Sequence, residues 1–223
     1  MFVLEKINRD EALRYLGYRG NKPDENTLKI IEQCEQALIQ SVAPKYLYRR
    51  FDITHKNDGT EVNGTGIKLT GSSIAAHLNG CSSVVLMCAT LSSSVDRLIR
   101  QLQTTDMTKA VITDALASAA IEQVCDAADE EINNKFPDEY KTWRFSPGYG
   151  DLPLSLQPDL LRVMDSQRKI GLTLGESSML IPTKSVTAII GISKNELPKR
   201  KRGCAGCNMK AVCKFRKSGE RCV

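Results

Sequence analysis

Residues 83–89 read Ser-Val-Val-Leu-Met-Cys-Ala, and residues 106–136 read as one long helix whose interior carries Ala110, Ala115, Ala117, Ala119 and Ala120. The first stretch is short, apolar and β-prone, and predicts a buried strand. The second has high helix propensity, and its small side chains let a neighbouring element come close. Working outward, a short helix is expected over 10–17, with Asp10 as N-cap and Gly17 or Gly20 as its stop. A second runs from 24 to about 42, where Leu28, Ile31, Leu38 and Val42 recur at near-helical spacing and Pro44 ends it. Residues 46–53 read as a strand. Turn chemistry follows at Asn57-Asp-Gly and Asn63-Gly-Thr-Gly, with a short strand at 67–69 between turns. Ser72 or Ser73 caps a short helix that Gly80 closes. A helix starts at 92–94 and runs to 103. Another spans 158–169, with Pro158 in its first turn and Gly171 after its end. Residues 178–181 and 185–192 read as strands. Strands and helices are mixed without a steady βαβ rhythm, which predicts an α+β fold with a largely antiparallel sheet.

Residues 144–151, Arg-Phe-Ser-Pro-Gly-Tyr-Gly-Asp, carry the chemistry. Pro147 fixes its own φ, and Gly148 tolerates φ > 0, so together they make a sharp, rigid turn. The turn sets the Arg144 guanidinium near the Tyr149 phenol, a pairing that suits an anionic, partly apolar small molecule. Ser146, Pro147, Gly148 and Gly150 would bring peptide groups up to that ligand. Other function classes lack their signatures. There is no Ser-His-Asp arrangement, no GxGxxG after a strand and no P-loop, which argues against a free-standing hydrolase or kinase. No apolar run approaches the roughly 20 residues needed to cross a bilayer. The start, Met1-Phe-Val-Leu-Glu-Lys, is interrupted by charge at once and is not a signal peptide, so a cytoplasmic location is expected.

The segment from Asp151-Leu-Pro-Leu-Ser-Leu-Gln-Pro-Asp to Gly171-Leu-Thr-Leu-Gly-Glu-Ser and Pro182-Thr-Lys-Ser-Val-Thr-Ala extends the motif. Together with Arg144-x-x-x-Gly-Tyr149 it resembles the activation (reactivation) domain of cobalamin-dependent methionine synthase. Leu13-Arg-Tyr-Leu-Gly-Tyr-Arg-Gly20 resembles the stand-alone form of that domain. The resemblance covers residues 1–193 and implies a twisted, largely antiparallel sheet flanked by helices. It implies binding of S-adenosylmethionine and docking on a cobalamin-binding methionine synthase or related corrinoid protein. There cob(II)alamin is reduced by one electron from a flavodoxin- or ferredoxin-type donor and methylated. The chain lacks an Asp-x-His-x-x-Gly cobalamin-ligating segment, so the cobalamin is expected on a separate partner. For the ligand, the resemblance implies Arg144 on the carboxylate and Tyr149 beside it. Glu122, on the same helix face as Ala115 and Ser118, would serve the ammonium or ribose. Glu176 is a further candidate, either at the ligand or bracing Arg144. The family's acidic contact in the N-terminal segment has its rough counterpart in Tyr15-Leu-Gly-Tyr18, which has no acid; Asp10 is the nearby substitute.

Residues 194–223 differ in character. They hold ten Lys/Arg against two Glu, a charge of +8; the whole chain is +5, so residues 1–193 carry −3. Cys204, Cys207, Cys213 and Cys222 form a C-x2-C-x5-C-x8-C pattern. Four close thiols in a reducing compartment predict a metal centre rather than disulfides. Zinc and an iron–sulfur cluster both accept four cysteines. The one-electron step implied by the resemblance favours iron–sulfur, with zinc as the alternative. A second reading makes this tail a metal-dependent interaction module binding nucleic-acid phosphate. Phe215 alone among the tail residues could stack on a base, which argues against it. Cys34, Cys81, Cys88 and Cys125 are expected to be buried thiols.

Overall fold

The computed structural model describes residues 2–18 and 21–197. In chain order the elements are α1 (Arg9–Tyr15), α2 (Glu25–Ser41), β1 (Lys45–Lys56), β2 (Gly59–Val62), β3 (Ile67–Leu69), α3 (Ser72–His77), β4 (Ser83–Thr90), α4 (Ser93–Thr105) and α5 (Met107–Lys135). After these come β5 (Tyr140–Lys141), a 3-10 turn (Leu154–Leu156), α6 (Gln157–Met164), α7 (Ser166–Ile170), β6 (Thr173–Leu174), β7 (Leu180–Ile181) and β8 (Ser185–Ser193). Six strands form one sheet in the order β3-β2-β1-β4-β8-β5, and β6 pairs with β7 separately. The sheet is antiparallel. β2 pairs antiparallel with both β1 and β3, and β5 with β8. For β1 beside β4, Ala43 N donates to Leu91 O at one end and Ile53 N to Ser82 O at the other. For β4 beside β8, Leu91 N donates to Lys184 O and Ser82 N to Ile192 O. The fold is α+β, as the mixed element order predicts.

β4 lies inside the sheet with all eight residues buried, which is why its sequence shows an unbroken apolar run rather than alternation. Several local expectations shift. α1 is capped by Asn8, whose side chain accepts from Glu11 N at 3.1 Å, so Asp10 sits in the first turn instead. The helix expected over 158–169 is broken in two. Asp165 takes a left-handed conformation (φ 54°), its N–H bonds Arg162 O, and its carboxylate accepts from Arg168 Nε at 2.7 Å. Asp is one of the few residues that visits this region readily. The strand expected over 178–181 shrinks to β7, and its partner β6 escapes sequence reading because two-residue strands carry no periodicity.

The described residues divide into two compact units. One consists of the described residues up to Arg49, Met87–Lys135 and Gln157–Thr187; the other consists of Arg50–Leu86, Phe136–Leu156 and residues 188–197. In the first unit α1, α2 and α4 all pack against α5. The five alanines of α5 named above are each at most 5% exposed, so three helices can approach it closely. Glu35 of α2 is 5% exposed. It accepts from Ile7 N at 3.1 Å and from Arg9 Nε at 2.5 Å, tying the N-terminal segment to α2. Gln123 of α5 grips the same segment, donating to Lys6 O at 3.0 Å and accepting from Asn8 N at 2.8 Å. In the second unit Arg50 makes a two-pronged pair with Glu139, at 2.6 and 2.8 Å, and donates to Ser83 Oγ at 2.9 Å. Cys34, Cys81, Cys88 and Cys125 are buried thiols as expected, and burial pushes the Cys88 thiol up to about 12. Among the described residues, no helix is long and apolar enough to cross a membrane.

Glu35→Ala leaves the buried Ile7 N–H without its acceptor and Arg9 without its carboxylate. The expected cost is about 1–3 kcal/mol, read as a lower urea midpoint with an unchanged denaturant slope.

Candidate functional site

Thr142 and Trp143 separate the 144–151 segment from β5. Its register against β8 runs Tyr140↔Ser193 and Lys141↔Ile192, then resumes at Phe145↔Ile189. Three residues, 142–144, therefore face two, Ile190 and Gly191. This is a β-bulge, which bends a strand and re-aims its side chains. Arg144 is the last bulged residue, and its side chain is half-buried. Two tight turns follow. Tyr149 N donates to Ser146 O at 3.0 Å, with Pro147 second and Gly148 third at φ 91°. Proline then positive-φ glycine is the pattern of a type II turn. Leu152 N donates to Tyr149 O at 3.0 Å around Gly150 at φ 56°, and Gly148 N closes the pair on Leu152 O at 2.9 Å. Pro147 is buried, while Gly148, Tyr149 and Gly150 face solvent, with Tyr149 59% exposed.

The turn is fastened to α3 by Asp151. One carboxylate oxygen accepts from Ser72 N at 2.6 Å and Ser72 Oγ at 2.7 Å; the other accepts from Ser73 N at 2.9 Å. Ser72 and Ser73 are thus not the cap, as their sequence suggests. They are the residues capped, by a carboxylate 79 residues away. The Ser72 hydroxyl first, then the two backbone N–H groups, hold the Asp151 carboxyl far below the usual carboxylate range. Gly150 lies so close to α3 that a Cβ there would stand 2.7 Å from Ser73 Cβ. A side chain at 150 would push the turn off the helix.

Rings line the inner side of the segment. His77, the last residue of α3, is 2% exposed and stands 4.9 Å edge-on from Trp143 and 4.8 Å from Phe145. Phe145 meets Tyr149 edge-on at 6.0 Å. Sequence reasoning misses the parts of His77 and Asp151, because neither stands in a local pattern that signals its partner.

The remaining expected residues lie in the other unit. Glu122 is half-buried on α5. Tyr15 of α1 has its phenol pKa raised, first by burial and then by the charges of Glu122 and Glu11, so the Tyr15–Tyr18 segment has acidic neighbours although it contains no acid. The small-residue face next to Glu122 is occupied at Ser118, whose Oγ accepts from Lys184 Nζ at 2.9 Å. Lys184 belongs to the Pro182-Thr-Lys-Ser stretch, which is an anchor. Thr183 N and Oγ1 donate to Asp96 at 2.9 and 2.7 Å, Lys184 pairs with Asp114 at 2.9 Å, and Ser185 Oγ bonds Thr90 Oγ1 at 2.8 Å. Glu176 is exposed in the turn between β6 and β7. Among the described residues, no group of three or more His, Cys, Asp and Glu side chains is placed to hold a metal ion. The expected centre at Cys204, Cys207, Cys213 and Cys222 lies outside them.

Residues 82–196, just over half of the chain, match the family described as vitamin B12 dependent methionine synthase, activation domain. The chain belongs to this family. Among solved structures it is similar to the MetH reactivation domain crystallised with AdoHcy. The match has a TM-score of 0.67 and 14% identity, and covers 96% of this chain and 82% of that one. That likeness establishes the shared fold. No curated protein matches the chain.

Asp151→Ala removes the cap of α3. The carboxylate is exposed, so screening keeps its worth within the range for helix caps, about 0.5–2 kcal/mol. Its folded-state pKa is depressed. The stabilisation is therefore full above the unfolded carboxylate value of about 3.9 and fades as pH falls through the folded value. Denaturation curves should show a constant gap between wild type and variant above about pH 5, closing on further acidification.

Proposed function

We propose that this chain binds S-adenosylmethionine at the Arg144–Tyr149 turn and supports reductive methylation of cob(II)alamin on a separate methionine synthase or related corrinoid protein. One observation carries the reading. In a member of the activation-domain family, an arginine on a β-bulge leads into a double turn that exposes Tyr149 and the peptide groups of Gly148 and Gly150. The Arg144 guanidinium suits the ligand's carboxylate as a two-pronged donor. The Tyr149 ring offers a face to the flat base or a hydroxyl to the ribose. Ser146, Pro147, Gly148 and Gly150 supply close backbone with no side chain in the way at the glycines. Glu122 is proposed for the ammonium or ribose, and Glu176 either as a further ligand contact or as a brace for Arg144; both parts rest on the family resemblance. The AdoHcy bound to the structural neighbour is the demethylated form of this ligand.

The chemistry belongs to the cobalt and the sulfonium. One electron from a flavodoxin- or ferredoxin-type donor takes cob(II)alamin to cob(I)alamin. The cobalt electron pair then attacks the methyl carbon, the sulfur–carbon bond breaks, and S-adenosylhomocysteine leaves. The protein's part is to present the methyl group. Residues 194–223 are proposed as a second module in which Cys204, Cys207, Cys213 and Cys222 hold one metal centre. An iron–sulfur cluster is favoured there because zinc passes no electron.

Arg144→Ala should weaken S-adenosylmethionine binding by about 1.5–3 kcal/mol, the range for hydrogen bonds to charged groups. Calorimetric titration giving equal affinity for wild type and variant would reject the site. For the tail, anaerobically purified protein should be brown, with absorbance near ~400 nm that bleaches on reduction. Colourless protein with one equivalent of zinc would make the tail a structural module. Replacing Cys204 and Cys207 by serine should remove the metal in either case, and stoichiometric metal retained after that change would sink the four-cysteine centre.

A further inference from the structure

We infer that Thr142 and His77 are positioning residues for the ligand-binding turn, locking the β-bulge that aims Arg144. The inference rests on the ligand reading above for its purpose, but its geometry stands apart from it. Adding a residue to one strand locally disrupts the ladder, so a backbone group at the bulge can need another partner. Here that group is the N–H of Gly191, and Thr142 takes it with its side chain. Gly191 N donates to Thr142 Oγ1 at 2.7 Å, while Thr142 N donates to Gly191 O at 2.9 Å. The hydroxyl stands in for the missing backbone acceptor. The same hydroxyl shares a 2.7 Å hydrogen bond with His77 Nε2.

His77 then fixes the bulge from a second direction. Its buried ring contacts Trp143 and Phe145, which are the two neighbours of Arg144 in the chain. Both flanks of the arginine thus rest on one imidazole, and the imidazole is held by the hydroxyl that closes the bulge. Space for this arrangement comes from Gly191. A Cβ there would lie 2.6 Å from Cys81 Sγ and 3.1 Å from Thr142 Cγ2. A buried imidazole needs a polar partner wherever it sits, and the identity of that partner is what matters here. This one bonds to the group that sets the register just before Arg144.

The test uses the full chain with Thr142→Val, which keeps the shape and removes the hydroxyl, Thr142→Ser, which keeps the hydroxyl, and His77→Phe, which keeps a ring. The readouts are calorimetric titration with S-adenosylhomocysteine, amide hydrogen exchange at Gly191, and the emission of Trp143, the one tryptophan in the chain. In Thr142→Val, Gly191 exchange should accelerate and affinity should fall about five- to twentyfold, the worth of one to two net hydrogen bonds. Thr142→Ser should recover both, and His77→Phe should lose affinity like the valine variant while shifting Trp143 emission. Unchanged affinity in Thr142→Val, or a serine variant as weak as the valine variant, overturns the positioning role. If wild type itself does not bind the ligand, the ligand reading fails. The bulge lock is then upheld by accelerated Gly191 exchange in Thr142→Val together with shifted Trp143 emission in His77→Phe, and overturned without them.

Discussion

The second unit depends on how residues 142–151 hold α3. A six-residue helix has too few internal hydrogen bonds to offset its own ordering, so it persists only through outside contacts. The 142–151 segment supplies them at both ends. Asp151 satisfies the first two N–H groups of the helix, and the Thr142 hydroxyl takes the ring of His77, its last residue. The relation is mutual. The double turn lies between these two points, and its exposed residues 148–150 stay in place because the segment is pinned on either side. Rigidity at such a turn matters for binding, since peptide groups already in position lose little entropy when a ligand arrives.

The first unit is organised on α5. Alanine at six of its thirteen buried positions allows α1, α2 and α4 to share one helix as a common core. Polar anchors then set which segments lie where. Glu35 and Gln123 hold the N-terminal chain, and the 182–185 stretch is fastened to α4 and α5 through Asp96, Asp114 and Ser118. Each such bond stabilises modestly on balance, but a buried or half-buried polar group left without its partner costs more than the bond contributes. The anchors therefore act as much on specificity of arrangement as on stability. The Pro182-Thr-Lys-Ser stretch, prominent in the family resemblance, belongs with these anchors, and the Arg144–Tyr149 turn belongs with the proposed ligand.

Local sequence determined the elements whose signals are local. β4 was legible from its apolar β-branched run, α5 from its alanines, α2 from the spacing of Leu28, Ile31, Leu38 and Val42 and from Pro44, and the Pro147–Gly148 turn from the two residues whose backbones permit little else. The family was legible too, because its motif segments are each short and local and follow one another along residues 144–188. The cap of α3 was misread, since Ser72 and Ser73 are good capping residues and nothing nearby announces a carboxylate 79 positions later. The break at Asp165 escaped as well, because a single left-handed residue leaves no mark on hydrophobic periodicity.

The sequence by itself thus determined the fold class, the buried strand and long helix at its centre, and the identity of the turn that carries Arg144 and Tyr149. Only the tertiary structure decided how that turn is held. The bulge at 142–144 exists only as a register between β5 and β8, two strands brought together from positions some fifty residues apart. The roles of Thr142, His77, Gly191 and Asp151 follow from that pairing. Register and long-range capping are properties of which segments meet, and a linear pattern records what each segment prefers alone.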